Sequence, residues 1–93
     1  MTTPPTPDQL RAAIAADCPH RLPDYDRHLA GRQPTPAFIR LWRIEHAISS
    51  RPDLEARLDE LDRQAQNTND YAEAKSCLEQ TSRIRHQIAE GLT

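Results

Sequence analysis

The sequence predicts an all-α protein, a small domain of four to five helices with a C-terminal antiparallel helical hairpin. Nine Leu, six Ile and twelve Ala supply most of the apolar content, Val is absent, and only four residues are aromatic. Helices favour Ala, Leu, Glu, Gln and Arg, whereas sheets favour β-branched and aromatic residues. With 93 residues, the chain forms one domain that can bury a core by a thin margin.

The prolines and apolar residues divide the chain into segments. Residues 1–6 are expected to be a disordered tail, because prolines oppose helix there and no apolar run anchors them. Residues 7–93 then form a single helical domain. Within it we expect an N-terminal helical arm at 7–32, a central helix at 36–49 and the hairpin at 51–90.

Capping residues mark the helices of the arm. Thr6 is the expected N-cap of the first helix, with Pro7 at N1 and Gln9 at N3 in a capping box. A short second helix is expected over about residues 23–30, and Gly31 suits the C′ position that follows it.

The central helix is expected to start with Thr35 as N-cap and Pro36 at N1, and it has two apolar faces. One face is expected to lie on the hairpin and comprises Ala37, Leu41, Ile44 and Ile48. Phe38, Ile39 and Trp42 form the second face. A helix with so much apolar circumference packs on two sides, so the second face meets either the arm or a partner molecule, such as a second copy across a dimer seam.

The hairpin begins and turns at capping signals. Its first helix is expected to open at Ser50, with Pro52 and Asp53 in the first turn. Asp70 is the expected cap of its second helix, with Glu73 as the box partner.

Apolar stripes predict how the two helices of the hairpin pair. The stripes are Leu54, Leu58, Leu61 and Ala65 in the first helix, and Ala74, Leu78, Thr81, Ile84 and Ile88 in the second. An antiparallel register places Leu61 opposite Leu78. It also places Ala65 opposite Ala74, where small side chains allow a close approach.

Charge is distributed unevenly along the chain. The formal net charge of −2 excludes a polycation that binds nucleic acid along its whole length. Residues 51–93 carry six basic and nine acidic residues, among them Asp59, Glu60 and Asp62. This mildly acidic hairpin would suit a basic protein partner through electrostatic steering.

A DNA-binding helix-turn-helix protein is an alternative. The stretch from Thr35 to Trp42 resembles the start of a recognition helix in repressor-type domains, in which case Arg40 and Arg43 would contact nucleic acid. However, the turn before Thr35 is rich in proline and lacks a glycine at the expected place. These departures weigh against nucleic acid as a partner.

The sequence has no motif for catalysis, cofactor binding or metal binding. Two glycines cannot supply a phosphate-binding loop. His20, Asp24 and His28 have the helical spacing of metal ligands and Cys18 lies close by, but Pro23 interrupts the set and a zinc site needs four converging ligands. We therefore expect a non-enzymatic protein without cofactor or metal.

The expected location is the cytoplasm. Met1 is followed by "TTPPTP" rather than by the apolar run of a signal peptide. No segment approaches the roughly 18 apolar residues of a membrane-spanning helix. Cys18 and Cys77 are isolated in the sequence and are expected to be reduced, packed thiols.

One group of residues carries a resemblance to known proteins: Phe38, Trp42, Ala47, Pro52, Leu54, Arg57, Leu58, Leu61, Ala65, Glu73, Ala74 and Ile84. With this pattern, the segment from Phe38 to Ile88 resembles small actinobacterial all-helical proteins of unknown function. Some of these proteins are encoded beside RelE/ParE-type toxins. The resemblance implies an antitoxin-like or regulatory role and transfers no catalytic residues.

These observations predict a protein-binding regulator, antitoxin-like toward a small basic toxin. The alternatives are the DNA-binding protein and a structural homodimer without a ligand. The candidate partner-binding residues are Phe38, Ile39, Trp42, Asp59, Glu60 and Asp62.

Overall fold

The computed structural model describes residues 4–92, which fold into five α-helices and contain no strand. The helices are α1 (Pro7–Asp17), α2 (Leu22–Leu29), α3 (Pro36–Ser49), α4 (Pro52–Asn67) and α5 (Tyr71–Gly91). The prediction of an all-α protein with about five helices is confirmed. Of the expected tail, residues 1–3 lie outside the described residues, and residues 4–6 are not helical.

The expected caps start α1 and α3. Thr6 accepts a hydrogen bond from the backbone N–H of Gln9, and the Gln9 side chain accepts one from the Thr6 N–H, which completes the capping box. The Thr35 hydroxyl oxygen accepts from the N–H of Phe38 at 3.1 Å. Each cap satisfies backbone donors that the first turn of a helix leaves without partners.

The second helix starts earlier than the sequence indicates. A 3-10 turn at Pro19–Arg21 leads directly into α2 at Leu22, so Pro23 lies in the first turn of α2, where proline is tolerated. Gly31 follows the C-cap residue Ala30 and has φ of +70°, the left-handed conformation that favours glycine after a helix.

Two predicted details of the hairpin caps are wrong. Ser50 ends α3 rather than opening α4, because its N–H and hydroxyl both bond to the His46 carbonyl oxygen. Arg51 takes the N-cap position of α4 without a side-chain cap bond. Asp70 does cap α5, but Glu73 accepts a hydrogen bond from the Thr68 hydroxyl, whose oxygen accepts from the Asp70 N–H.

Helix α3 contributes to two separate apolar clusters. The first joins it to the arm and contains the buried residues Leu10, Ile14, Cys18, Tyr25, Phe38 and Trp42. The second joins it to α4 and α5 and contains the buried residues Ile48, Leu58, Leu61 and Cys77. The arm is fastened further by Arg11, which pairs with Asp26 through two 2.9 Å bonds between α1 and α2.

Helices α4 and α5 pack on each other on either side of a three-residue connection. Arg57 donates to Gln80 at 3.3 Å, and Cys77 lies 3.6 Å from the Gln64 side-chain oxygen. Gln64 comes after Arg57 in α4, whereas its partner Cys77 comes before Gln80 in α5. This is the order of contacts in an antiparallel pair. None of the described helices combines the length and apolarity that a bilayer-spanning segment requires.

Three residues of the predicted apolar faces are exposed: Leu78 of α5, and Ala37 and Leu41 of α3. Leu78 is 55 % exposed, and Cys77 occupies the buried position of α5 next to Leu61. Leu78 lies roughly 100° around α5 from Cys77, so a small rotation of the helix removes it from the pairing surface. Leu41 is 39 % exposed, because only Ile44 and Ile48 of its expected face pack with the hairpin cluster.

This arrangement predicts different outcomes for two leucines of one hairpin. Leu61→Ala should lower the free energy of unfolding by about 2–5 kcal/mol, because Leu61 is 1 % exposed and its removal leaves a cavity. Leu78→Ala should cost less than about 1 kcal/mol, as expected of a surface position. Urea unfolding followed by circular dichroism at 222 nm measures both. Equal losses would contradict the register.

Candidate functional site

The aromatic side of α3 is packed inside the protein. Tyr25 of α2 lies between Phe38 and Trp42, with ring centroids 5.3 Å and 5.4 Å away. Phe38 is 8 % exposed and Trp42 is 4 % exposed. The tilted and edge-on ring geometries are the favourable ones for aromatic pairs.

The polar part of the Trp42 side chain is also occupied. Its Nε1–H donates to Nδ1 of His28 at 2.9 Å. The guanidinium carbon of Arg21 lies 5.2 Å from the centre of the indole ring, within the range of a cation–π contact. The Tyr25 hydroxyl donates to the Pro7 carbonyl oxygen at 2.9 Å, so this ring is anchored as well.

Phe38, Ile39 and Trp42 are therefore corrected from a candidate partner surface to internal packing. The arm covers Phe38 and Trp42, and half-buried Ile39 packs against the same cluster. Of the two possibilities left open for this side of α3, the structure has the arm in place. The physical reason is that α1 and α2 supply the apolar side chains that bury Phe38 and Trp42.

Between the arm, α3 and the hairpin lies a charged groove built around Glu45. Its carboxylate accepts from Arg21 at 3.1 Å and from Arg85 at 2.5 Å, and the Glu45 side chain is 12 % exposed. Arg21 also donates to the Ser49 hydroxyl at 2.9 Å. Burial acts to lower the pKa of Arg21, but its bonds to Glu45 and Asp24 raise it above the ordinary value, so the guanidinium stays charged.

Two histidine–carboxylate pairs hold the arm to the rest of the domain. His20 Nε2 lies 2.9 Å from Glu55 of α4, and His46 Nε2 lies 2.8 Å from Asp17 of α1. The hydrogen bond from His20 is the main reason that the pKa of Glu55 lies below its usual range.

The groove contains a structural clasp, formed by the ion pairs of Glu45 with Arg21 and Arg85. Its lining residues are His20, Arg21, Glu45, Ile48, Glu55, Leu58, Asp59 and Arg85. Glu45 and Glu55 are both paired with basic side chains. Residues 4–92 contain no cluster of three metal-ligating side chains, and the residues that share helical spacing have separate partners: His20 with Glu55, Asp24 with Arg21, and His28 with Trp42.

The three candidate acids of α4 do not form one surface. Glu60 pairs with Arg63 and accepts a hydrogen bond from Gln64. Glu60 and Gln64 therefore lie on the side of the hairpin that also contains Arg57. Asp59 and Asp62 lie on the other side of α4, by their position on the helix. Asp59 also lines the charged groove, so these two acids lie on the α3 side of the hairpin.

The two candidate nucleic-acid residues also separate. Arg40 is exposed, whereas Arg43 is half-buried and donates to the Leu92 carbonyl oxygen at 3.1 Å. This bond places a positive charge at the C-terminal end of α5, where it interacts favourably with the helix dipole. Arg43 would have to give up this contact to reach a phosphate or a base.

The α3 side of the hairpin contains an apolar surface that sequence reasoning missed. Tyr71 is 81 % exposed and Leu78 is 55 % exposed, and both lie on the same side of α5 as half-buried Ala74. We call the set formed by Asp59, Asp62, Tyr71, Ala74 and Leu78 the tip patch. The seven-residue spacing of Tyr71 and Leu78 is the sequence signal, and it was hidden because Leu78 had been placed in the core stripe.

Comparison with known proteins gives no guide to this surface. No protein-family model matches the chain, and neither does any curated protein or solved structure.

The clasp predicts a stability effect at Glu45. Glu45→Gln should lower the free energy of unfolding by about 1.5–3 kcal/mol, because it removes the negative charge that Arg21 and Arg85 share and replaces one acceptor oxygen with an amide donor. The matched control is Glu79→Gln, whose exposed pair with Lys75 at 3.8 Å should contribute less than about 1 kcal/mol. Chemical unfolding of both variants measures the difference. A Glu45 effect no larger than that of Glu79 would contradict the clasp.

A pH dependence follows from the lowered pKa of Glu55. A carboxyl with a depressed pKa in the folded state stabilises the protein above its unfolded pKa, and this contribution is lost as pH falls through the folded pKa. The stability difference between the wild type and Glu55→Gln should therefore be full above the ordinary Glu pKa of 4.5 and disappear as pH falls through the lower pKa of the folded state. Unfolding curves from neutral to acid pH test this, and a pH-independent difference would refute it.

Proposed function

We propose that this protein is a non-enzymatic, protein-binding regulator that captures its partner through the hairpin. The tip patch carries the proposal, because it leaves a tyrosine and a leucine exposed on the same side of the hairpin as two exposed carboxylates. Tyrosine is frequent among the residues that dominate the energy of protein interfaces. The arm, by contrast, offers no comparable surface, since its aromatic ring Tyr25 is buried.

The proposed partner is a basic protein. Asp59 and Asp62 are both exposed, and Asp59 forms no ion pair within the described part of the chain. Exposed carboxylates at the border of an apolar surface steer a positively charged partner and select against acidic ones. An antitoxin-like role toward a small basic toxin is the form of this proposal that the sequence resemblance implies.

The test compares captured proteins between matched variants. The wild type and the double variant Tyr71→Ala/Leu78→Ser are immobilised and exposed to lysate of the source organism, and retained proteins are quantified by mass spectrometry. We expect a basic protein that the wild type retains and that the double variant loses by at least about tenfold. That protein, once purified, should bind the wild type in a titration calorimeter.

The control is Leu41→Ser, which removes an exposed leucine from a different helix. It should retain the partner as the wild type does. The proposal fails if no protein distinguishes the wild type from the double variant. It also fails in favour of a homodimer if light scattering finds a dimer that the double variant abolishes, or in favour of a DNA-binding protein if a low-salt gel shift is lost in Arg40→Ala.

A further inference from the structure

Helix α3 covers only part of the length of the hairpin. Helix α3 contacts the C-terminal half of α5, where Glu45 binds Arg85 and Arg43 binds the carbonyl of Leu92. The N-terminal half of α5 has Tyr71 and Leu78 on the same side, and both remain exposed. The hairpin therefore continues beyond the helix that covers it.

The two sides of the hairpin have opposite character. The side away from α3 is formed by polar residues that hydrogen-bond along or across the helices: Arg57, Glu60, Gln64, Ser76 and Gln80. Such a surface is an ordinary solvent-exposed one. The tip patch instead has apolar Tyr71, Ala74 and Leu78 on the side of the hairpin on which α3 packs.

The size of the open surface fits one short helix. From Tyr71 to Thr81, a stretch that contains Tyr71, Ala74 and Leu78, a helix rises about 15 Å. A second helix laid across this distance needs about three turns, the usual length of a helix in globular proteins. Ala65 and Ala74 are half-buried in this part of the hairpin, and their side chains are small.

We propose that the tip patch binds a basic amphipathic helix of the partner, which extends the α3 layer toward the end of the hairpin. An apolar stripe on that helix would cover Tyr71 and Leu78, and its flanking Lys or Arg side chains would reach Asp59 and Asp62. This inference rests on the proposed function and adds the secondary structure, charge and location of the bound segment.

Charge selects this occupant over a second copy of the chain. In an isologous dimer, the same patch lies on both subunits, so Asp59 and Asp62 of both copies would be brought to one interface. Lys75 also borders the patch, but Glu79 lies 3.8 Å from its ammonium group, so with Asp59 and Asp62 the net charge beside Leu78 is negative. A basic helix replaces like-charge repulsion by attraction.

The experiment uses three synthetic fluorescent peptides of 14 residues. The first has a leucine stripe at helical spacing flanked by lysines, the second has glutamates in place of the lysines, and the third is a scrambled version of the first. We expect anisotropy titrations to show binding of the lysine peptide alone, with affinity that falls as salt rises. Amide shifts in ¹⁵N spectra should centre on Tyr71, Ala74 and Leu78.

Matched variants locate the contacts. Leu78→Ser should weaken binding of the lysine peptide by at least about tenfold, the expected loss from one buried leucine anchor. Asp59→Asn/Asp62→Asn should weaken it and reduce its salt dependence. Leu41→Ser and Glu79→Gln, which alter an exposed leucine on α3 and an acid on the outer side of α5, should leave it unchanged.

The inference is overturned if the scrambled or glutamate peptide binds as well as the lysine peptide, or if the shifts fall on the polar side of the hairpin. Self-association of the pure protein that Leu78→Ser abolishes would overturn it as well. If the peptides fail while a cellular protein still distinguishes the wild type from the double variant, the basic-helix inference falls and the proposed function stands. If no cellular protein does so, the proposed function falls.

Discussion

Everything in this fold depends on α3 burying two apolar faces at once. On one face, Phe38 and Trp42 pack against Tyr25 of the arm. On the other face, Ile48 packs against the hairpin. No buried residue of the arm belongs to the hairpin cluster, and no buried residue of the hairpin belongs to the arm cluster. The chain therefore folds as two small cores joined by a single helix, and a thin margin of burial makes each of them necessary.

The charged clasp compensates for this division. Glu45 faces both cores and binds one arginine from each side, so it ties the arm to the hairpin where apolar packing does not. The His20–Glu55 pair makes a second connection between the arm and the hairpin, and the His46–Asp17 pair connects the arm to α3. Partly buried charges are costly unless they are matched, and here the Glu45 carboxylate is shared between two guanidinium groups.

Local features of this fold could be predicted from the sequence, whereas features that depend on helix rotation could not. Thr6, Thr35 and Asp70 cap helices through bonds to residues two or three positions away, so neighbouring sequence is sufficient. Leu78 was misplaced because Cys77 and Leu78 both suit an apolar stripe, and only three-dimensional packing decides between them. The bridges of Glu45 to Arg21 and Arg85 span 24 and 40 residues, a separation for which periodicity carries no signal. The tip patch was missed for the same reason as Leu78.

The position of the single tryptophan has a consequence for how this protein can be observed. Trp42 belongs to the arm core and donates its indole N–H to His28, whereas the hairpin core contains no aromatic residue among its described members. Its fluorescence therefore reports the docking of the arm, whereas the helical signal also includes the 16 residues of α4 and the 21 residues of α5. If the two cores open at different denaturant concentrations, the two probes will give separate transitions from one sample. A two-state treatment based on either probe alone would then describe half of the molecule.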